Sequence, residues 1–288
     1  MGKELKKAGK EVGLGVLNLI FVVGLLSVLV QAKGRIAERT LLIVAVIVGL
    51  TAYIGGTRWI EGRIPAELVG SSGLGEFAAG LGIGLALFSA VICSLWLVGA
   101  YHLGGWGGAV GAVDGALVTV AAAVIEETLF RGFLFRLVEI VAGTWIAVLV
   151  TSMLFGAAHA FNTGATITSS IAIALEAGVL LGAAYALTGR LWFPIGLHAG
   201  WNFAESSIFG LTMSGFANKS ALLAEGNLQG ATFLTGGAFG PEASAFAVVI
   251  CFAFGLLLLW RTKRLNRVQP PAWNRGNSST QAMKTGFG

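Results

Sequence analysis

The chain has 288 residues, of which 56% are hydrophobic and only 11% charged, with a net charge of +5 and a mean hydropathy of +0.82. That composition excludes a soluble globular protein of this length. The basic excess sits in loops and tail, where it suits anionic lipid headgroups rather than nucleic acid.

At about 20 residues per span, apolar windows fall at 13–31, 40–56, 75–99, 110–134, 143–161, 168–187, 191–209 and 244–260. The expected fold is an all-α membrane protein, a polytopic bundle of about eight transmembrane helices. The first window follows Lys3, Lys6, Lys7 and Lys10. No small-residue cleavage site stands at its end near Gln31 and Lys33, so it reads as a retained helix rather than a signal peptide.

With the N-terminus inside, 15 of the 19 Lys and Arg fall on inner segments, and Lys33, Arg35, Arg39 and Lys219 on outer ones. The count places both termini in the cytoplasm, with a bacterial inner membrane as the expected location. Loop 31–39 runs against it. Residues 1–267 read as a single transmembrane domain, and 268–288, with Pro270, Pro271 and NSST, as a disordered cytoplasmic tail. The outer stretch 210–243, rich in Gly, Ser, Thr and Asn, reads as a solvated connection. Gly178 and Gly182 form a GxxxG pair with a packing role. Cys93 and Cys251 stand alone in apolar helices and read as packing residues.

An ionisable side chain in a bilayer costs a few kcal/mol and needs a partner, a cavity or a function. The fourth window carries Asp114, Glu126, Glu127 and Arg131, the fifth His159, the sixth Glu176, and the seventh His198, Asn202 and Glu205. Glu127 and Arg131, four apart, share a helix face, whereas Glu126 is turned about 100° away. The triplet alone fits two readings: an internal ion network, or a Glu127–Arg131 lock that leaves Glu126 for chemistry.

Two His, an Asn and a free Glu from three different helices favour the second. They match amide hydrolysis: a carboxylate to take a proton from water, an imidazole to orient it, and donors for the oxyanion. HExxH, GxSxG and a Gly-rich phosphate loop are absent. Zinc held by His159, His198 and a Glu stays open as an alternative to no cofactor. His102 and Asp114 read as solvated or structural.

Three motifs then resemble those of the CPBP (CAAX protease and bacteriocin-processing) intramembrane peptidases, relatives of the Rce1-type prenyl endopeptidases: EETLFR at 126–131, FGAAH at 155–159 and HAGWN at 198–202. The resemblance covers about 110–210 and includes the approach TGRLWFPIGLHAGWNF. It implies Glu126 as the catalytic glutamate, His159 as its partner on water, His198 and Asn202 as oxyanion donors, and Glu127 and Arg131 as supporting residues. The implied substrate is a membrane-embedded or lipidated peptide, and the implied chemistry needs no obligatory metal. Glu176 and Glu205 lie outside the motifs and either support the site from behind or satisfy buried neighbours. A non-proteolytic scaffold or bacteriocin-immunity role is the rival on the same fold, and a transporter or proton relay a more distant one.

One geometric difficulty accompanies this reading. If Arg136 marks the inner interface, Glu126 lies about 15 Å deep, His198 about 10 Å past Leu191, and His159 about 24 Å past Gly143. A tilted helix, or one that starts outside the hydrocarbon, would be needed to bring the three together.

Overall fold

The computed structural model describes residues 35–59, 61–105, 112–216 and 225–274. The expected first span, 13–31, lies outside them. The other seven windows each coincide with a helical run. Helix α1 covers Arg35–Trp59, α2 Gly73–Leu97 and α3 Ala112–Glu127, the last continuing through a π-helical stretch Thr128–Phe135 into α4, Arg136–His159. Helix α5, Ile167–Ile173, passes through a π turn Ala174–Gly178 into α6, Val179–Thr188. Helix α7, Trp192–Phe203, ends in a π turn Ala204–Ile208. The short α8, Thr232–Thr235, and a 3-10 turn Pro241–Ala243 precede α9, Ala245–Arg264.

Local chemistry sets several of these ends. Thr166 and Ser169 form a capping box at the start of α5. Ser244 Oγ accepts from Ala247 N at the start of α9. Gly189 closes α6 in the left-handed conformation.

Among the described residues, five helical runs are long and apolar enough to cross a membrane, and the chain is an all-α, polytopic integral membrane protein. One run, Val113–His159, has 47 residues. As a straight helix it would be about 70 Å long, over twice the hydrocarbon thickness of about 30 Å. Gly143, at φ 80 and ψ 170, breaks it into a hairpin. An added Cβ there would also meet Gln269 O at 2.7 Å.

That break answers the depth difficulty. The turn lies at Gly143, not Arg136. Glu126 is 16 residues before Ala142 and His159 is 16 after Gly143, so each stands about 24 Å from the same turn.

Polarity is inverted relative to a soluble protein. Ile47, Leu149, Met153 and Val249 face outward as a lipid-exposed belt, while Glu127, Arg131, Glu176 and Glu205 are buried. In lipid, helices associate through close packing rather than through the hydrophobic effect. The tightest example joins α2 to α7. A Cβ on Gly80 would stand 2.2 Å from Phe193 O, on Gly84 2.1 Å from Leu197 O, on Gly196 2.1 Å from Phe77 O, and on Gly200 2.3 Å from Leu81 O. Two reciprocal GxxxG pairs therefore bring these backbones into contact. The Gly178/Gly182 pair divides: Gly178 packs on Ser152, with 2.7 Å from an added Cβ to its Cα, while Gly182 has only ordinary contacts beyond 3.7 Å.

At the basic end, the 61–72 connection is a network of ion pairs. Glu61 pairs with Arg63 and Arg136. Arg63 bonds both oxygens of Glu67 at 2.8 Å, and the single hydroxyl hydrogen of Tyr53 is shared between Glu67 and Gly132 O. Arg190 reaches Glu76 at 2.6 Å and Val69 O at 2.8 Å. At the opposite end Arg39 pairs with Asp114, so one of the charges that ran against the topology count is neutralised.

The stretch 210–243 is more than a connection. Its strand β2, Glu225–Leu228, pairs antiparallel with β1, Tyr101–Gly105, where His102 is exposed. Its last turn sends Glu242 into the interior. In the tail, Gln269 O accepts from Thr144 N and Gln269 N donates to Thr144 Oγ1. Residues 268–271 are thereby anchored at the hairpin turn.

Candidate active site

The EETLFR segment sits where α3 passes into its π stretch. Widened turns of this kind recur at functional sites because they shift the side-chain register of a helix. Glu127 is fully buried and its Oε1 accepts from Arg131 Nη1 at 2.8 Å. Arg131, also fully buried, directs Nη2 towards Ala177 O and Gly178 O at 3.4 and 3.3 Å. The side chain of Glu126 points elsewhere and is 32% exposed.

His198, on α7, joins the two carboxylates. Its Nδ1 is 3.0 Å from Glu127 Oε1 and its Nε2 is 4.0 Å from Glu126 Oε2. Because a carboxylate only accepts, Nδ1 carries the hydrogen in the first contact. The reciprocal glycines Gly196 and Gly200 flank His198, so its position is set by the α2–α7 backbone contact.

Phe155 is the aromatic centre of the site. Arg131 Cζ lies 4.6 Å from its ring centroid, a cation–π distance. The ring centroids of His159 and His198 lie 4.6 and 6.1 Å away. His159, half-buried at the end of α4, has Nδ1 2.8 Å from Phe155 O. The carbonyl can only accept, so this bond leaves Nε2 as the acceptor of the neutral ring.

His159, His198 and Asn202 line one cavity with Phe155, Leu197 and Trp201. Glu126 does not line it but meets it through His198. Glu176, in the α5–α6 π turn, lies on the cavity wall, and Glu205, in the π turn after α7, is buried behind.

Two further residues enter the cavity from the 210–243 stretch: Ser214 and Glu242. Ser214 N and Oγ donate to Glu242 Oε2 at 2.9 and 2.6 Å. The sequence holds one signal for Glu242, a carboxylate straight after Pro241 at the threshold of an apolar helix. Among the described residues no group of three or more His, Cys, Asp or Glu is arranged to hold a metal ion. His198 Nδ1, one of the ring nitrogens a zinc site would draw on, is already engaged by Glu127.

No curated protein and no solved structure matches the chain. Residues 108–204 match the family model described as type II CAAX prenyl endopeptidase Rce1-like. That span, which holds Glu126, Glu127, Arg131, His159, His198 and Asn202, is similar to the Rce1-like family of membrane proteases.

Proposed function

We propose that the protein is an intramembrane peptidase that hydrolyses a peptide bond of a membrane-associated substrate. Glu126 takes a proton from a water held with His159 Nε2, and the resulting hydroxide attacks the scissile carbonyl. His198 Nε2 and the Asn202 amide donate to the oxyanion. That role requires a hydrogen on both nitrogens of His198, since Nδ1 already faces Glu127. Collapse of the tetrahedral intermediate expels the amine, which takes the proton held by Glu126.

The observation that carries this reading is the division between the two glutamates. Glu127 is consumed by Arg131 and His198, whereas Glu126 is partly exposed and has no hydrogen-bonded partner at its buried Oε2 among the described residues. The match to a family model described as prenyl endopeptidases directs the substrate class towards lipidated or membrane-embedded peptides.

The test is cleavage of a quenched-fluorescent peptide library, with and without a lipidated cysteine, by purified wild type and Glu126→Ala. Activity lost in a folded variant supports the peptidase. No cleavage by either, together with a cellular phenotype that survives Glu126→Ala, supports a scaffold or immunity protein instead. Zinc analysis of the active protein decides whether a metal takes part.

A further inference from the structure

Three carboxylates that the proposed chemistry does not use meet on one side of the cavity. Glu176 comes from the α5–α6 π turn, Glu205 from the π turn after α7, and Glu242 from the turn before α9. Their exposures are 1%, 0% and 3%. Each lies within electrostatic reach of another, and Glu205 stands within hydrogen-bonding reach of Glu242. Among the described residues, no ion pair involves any of the three. Arg131, the buried cation of the neighbouring motif, is bound to Glu127.

Glu205 faces Glu242. Glu242 also accepts twice from Ser214. Glu176 accepts from the Cys251 thiol, but its Oε1 is buried without a hydrogen-bond partner, and unlike Glu205 its side chain lines the cavity. A buried carboxylate in a membrane protein is stabilised by a cation or a donor. The cavity that Glu176 lines is shared with His159, His198 and Asn202.

We propose that Glu176 and Glu242 form a subsite for a primary ammonium group carried by the substrate. This rests on the peptidase reading above and names a feature of its substrate. The cavity admits a group of water or ammonium size, which suits an ammonium on a slender chain better than a planar guanidinium. A metal ion fits less well, since no three of these side chains converge in metal-holding geometry among the described residues. An ammonium needs only acceptor oxygens, and Glu176, Glu242, Ser214 and the Asn202 amide offer them around one space. The ammonium sits on a lysine side chain near the scissile bond or on the amino terminus of the peptide.

The experiment separates these sources. Apolar peptides labelled at the C-terminus, with one lysine or one norleucine moved through the sequence and the amino terminus free or acetylated, are bound to intact Glu126→Gln protein in detergent. Cleavage of the same peptides by wild type is followed in parallel. The expected result is binding at least about tenfold tighter for lysine at one position, or for the free amino terminus. That ratio falls towards one in Glu126→Gln/Glu176→Gln and in Glu126→Gln/Glu242→Gln, and is kept in a control with Glu225→Gln, on the exposed β2 strand.

Equal binding of lysine and norleucine peptides at every position, with no effect of acetylation, overturns the subsite. So does a preference that survives both added substitutions. Cleavage by wild type without any preference leaves the peptidase and removes the subsite. A lysine preference in binding with no cleavage keeps the subsite and removes the peptidase.

Discussion

His198 Nδ1 lies 3.0 Å from Glu127 Oε1, the same oxygen that takes Arg131 Nη1 at 2.8 Å. One carboxylate thus ties α3 to α7, the helix that carries the third motif. In the proposed mechanism Glu127 holds the site together, and its neighbour Glu126 is left to react. The two adjacent glutamates are chemically identical and structurally opposite.

Glu127→Gln should destabilise the protein, because it leaves Arg131 buried without its counter-charge. Breaking a buried pair in this way costs about 3–5 kcal/mol. Glu126→Gln should leave the unfolding midpoint near wild type while abolishing cleavage, since that side chain is 32% exposed and outside the Arg131 pair. Thermal melts in detergent, read beside cleavage rates, check both. Equal losses of stability in the two variants would remove the division of labour.

Much of the architecture was legible in the sequence because lipid imposes a length and a composition on each span. Seven windows lie on helices for that reason, and Glu127 meets Arg131 because helical spacing dictates it. What was not legible depended on backbone geometry. The turn at Gly143 rather than Arg136 needs a single residue at φ 80, and no periodicity reports it. The π turns at 128–135, 174–178 and 204–208 shift register without a compositional mark. Glu242 and Ser214 reach the cavity through an irregular stretch in which neither period applies. The α2–α7 contact could have been found, since Gly80/Gly84 and Gly196/Gly200 each have the GxxxG spacing.

That contact yields a second prediction. Gly84→Ala and Gly200→Ala should each force α2 and α7 apart, because the new Cβ would stand 2.1 Å from Leu197 O and 2.3 Å from Leu81 O. The cost is that of overpacking, about 1–3 kcal/mol, and activity should fall further because His198 lies between the flanking glycines. Gly82→Ala, with nothing within 4 Å of its added Cβ, is the matched control. Melting midpoints and cleavage rates of the three variants measure the difference, and a control as damaged as the others would exclude backbone contact as the cause.

The basic end predicts an acid-sensitive stability. Burial alone would raise the Glu67 pKa, but the hydrogen bonds from Arg63 and Tyr53 outweigh it and hold the carboxylate below its ordinary value. A group with a depressed folded pKa contributes stability above its unfolded pKa, about 4.3 for Glu, and loses it as pH falls through the folded value. Wild type should therefore lose stability as pH falls from about 5 to below 4, and Glu67→Gln should flatten that dependence while starting from a lower midpoint. Melts across this window in one detergent test it. A Glu67→Gln curve parallel to wild type would assign the acid sensitivity to other carboxylates.

The hairpin turn at Gly143 is held from outside by Gln269, through Thr144 N to Gln269 O at 3.1 Å and Gln269 N to Thr144 Oγ1 at 2.8 Å. Ending the chain after Arg267 removes both bonds, and each backbone group left unpaired costs about 1–3 kcal/mol if water cannot reach it. Thr144→Val removes one bond to Gln269 and the bond to Glu139. Combined, the two changes should cost less than their sum, because they break the same contact. Full additivity in a double-mutant cycle would mean that the two residues act independently. Because this turn sets Glu126 and His159 at matching distances along its two arms, truncation should lower cleavage as well as the melting midpoint. A truncated protein that melts lower but cleaves at the wild-type rate would show that the turn stabilises the bundle without aligning the site.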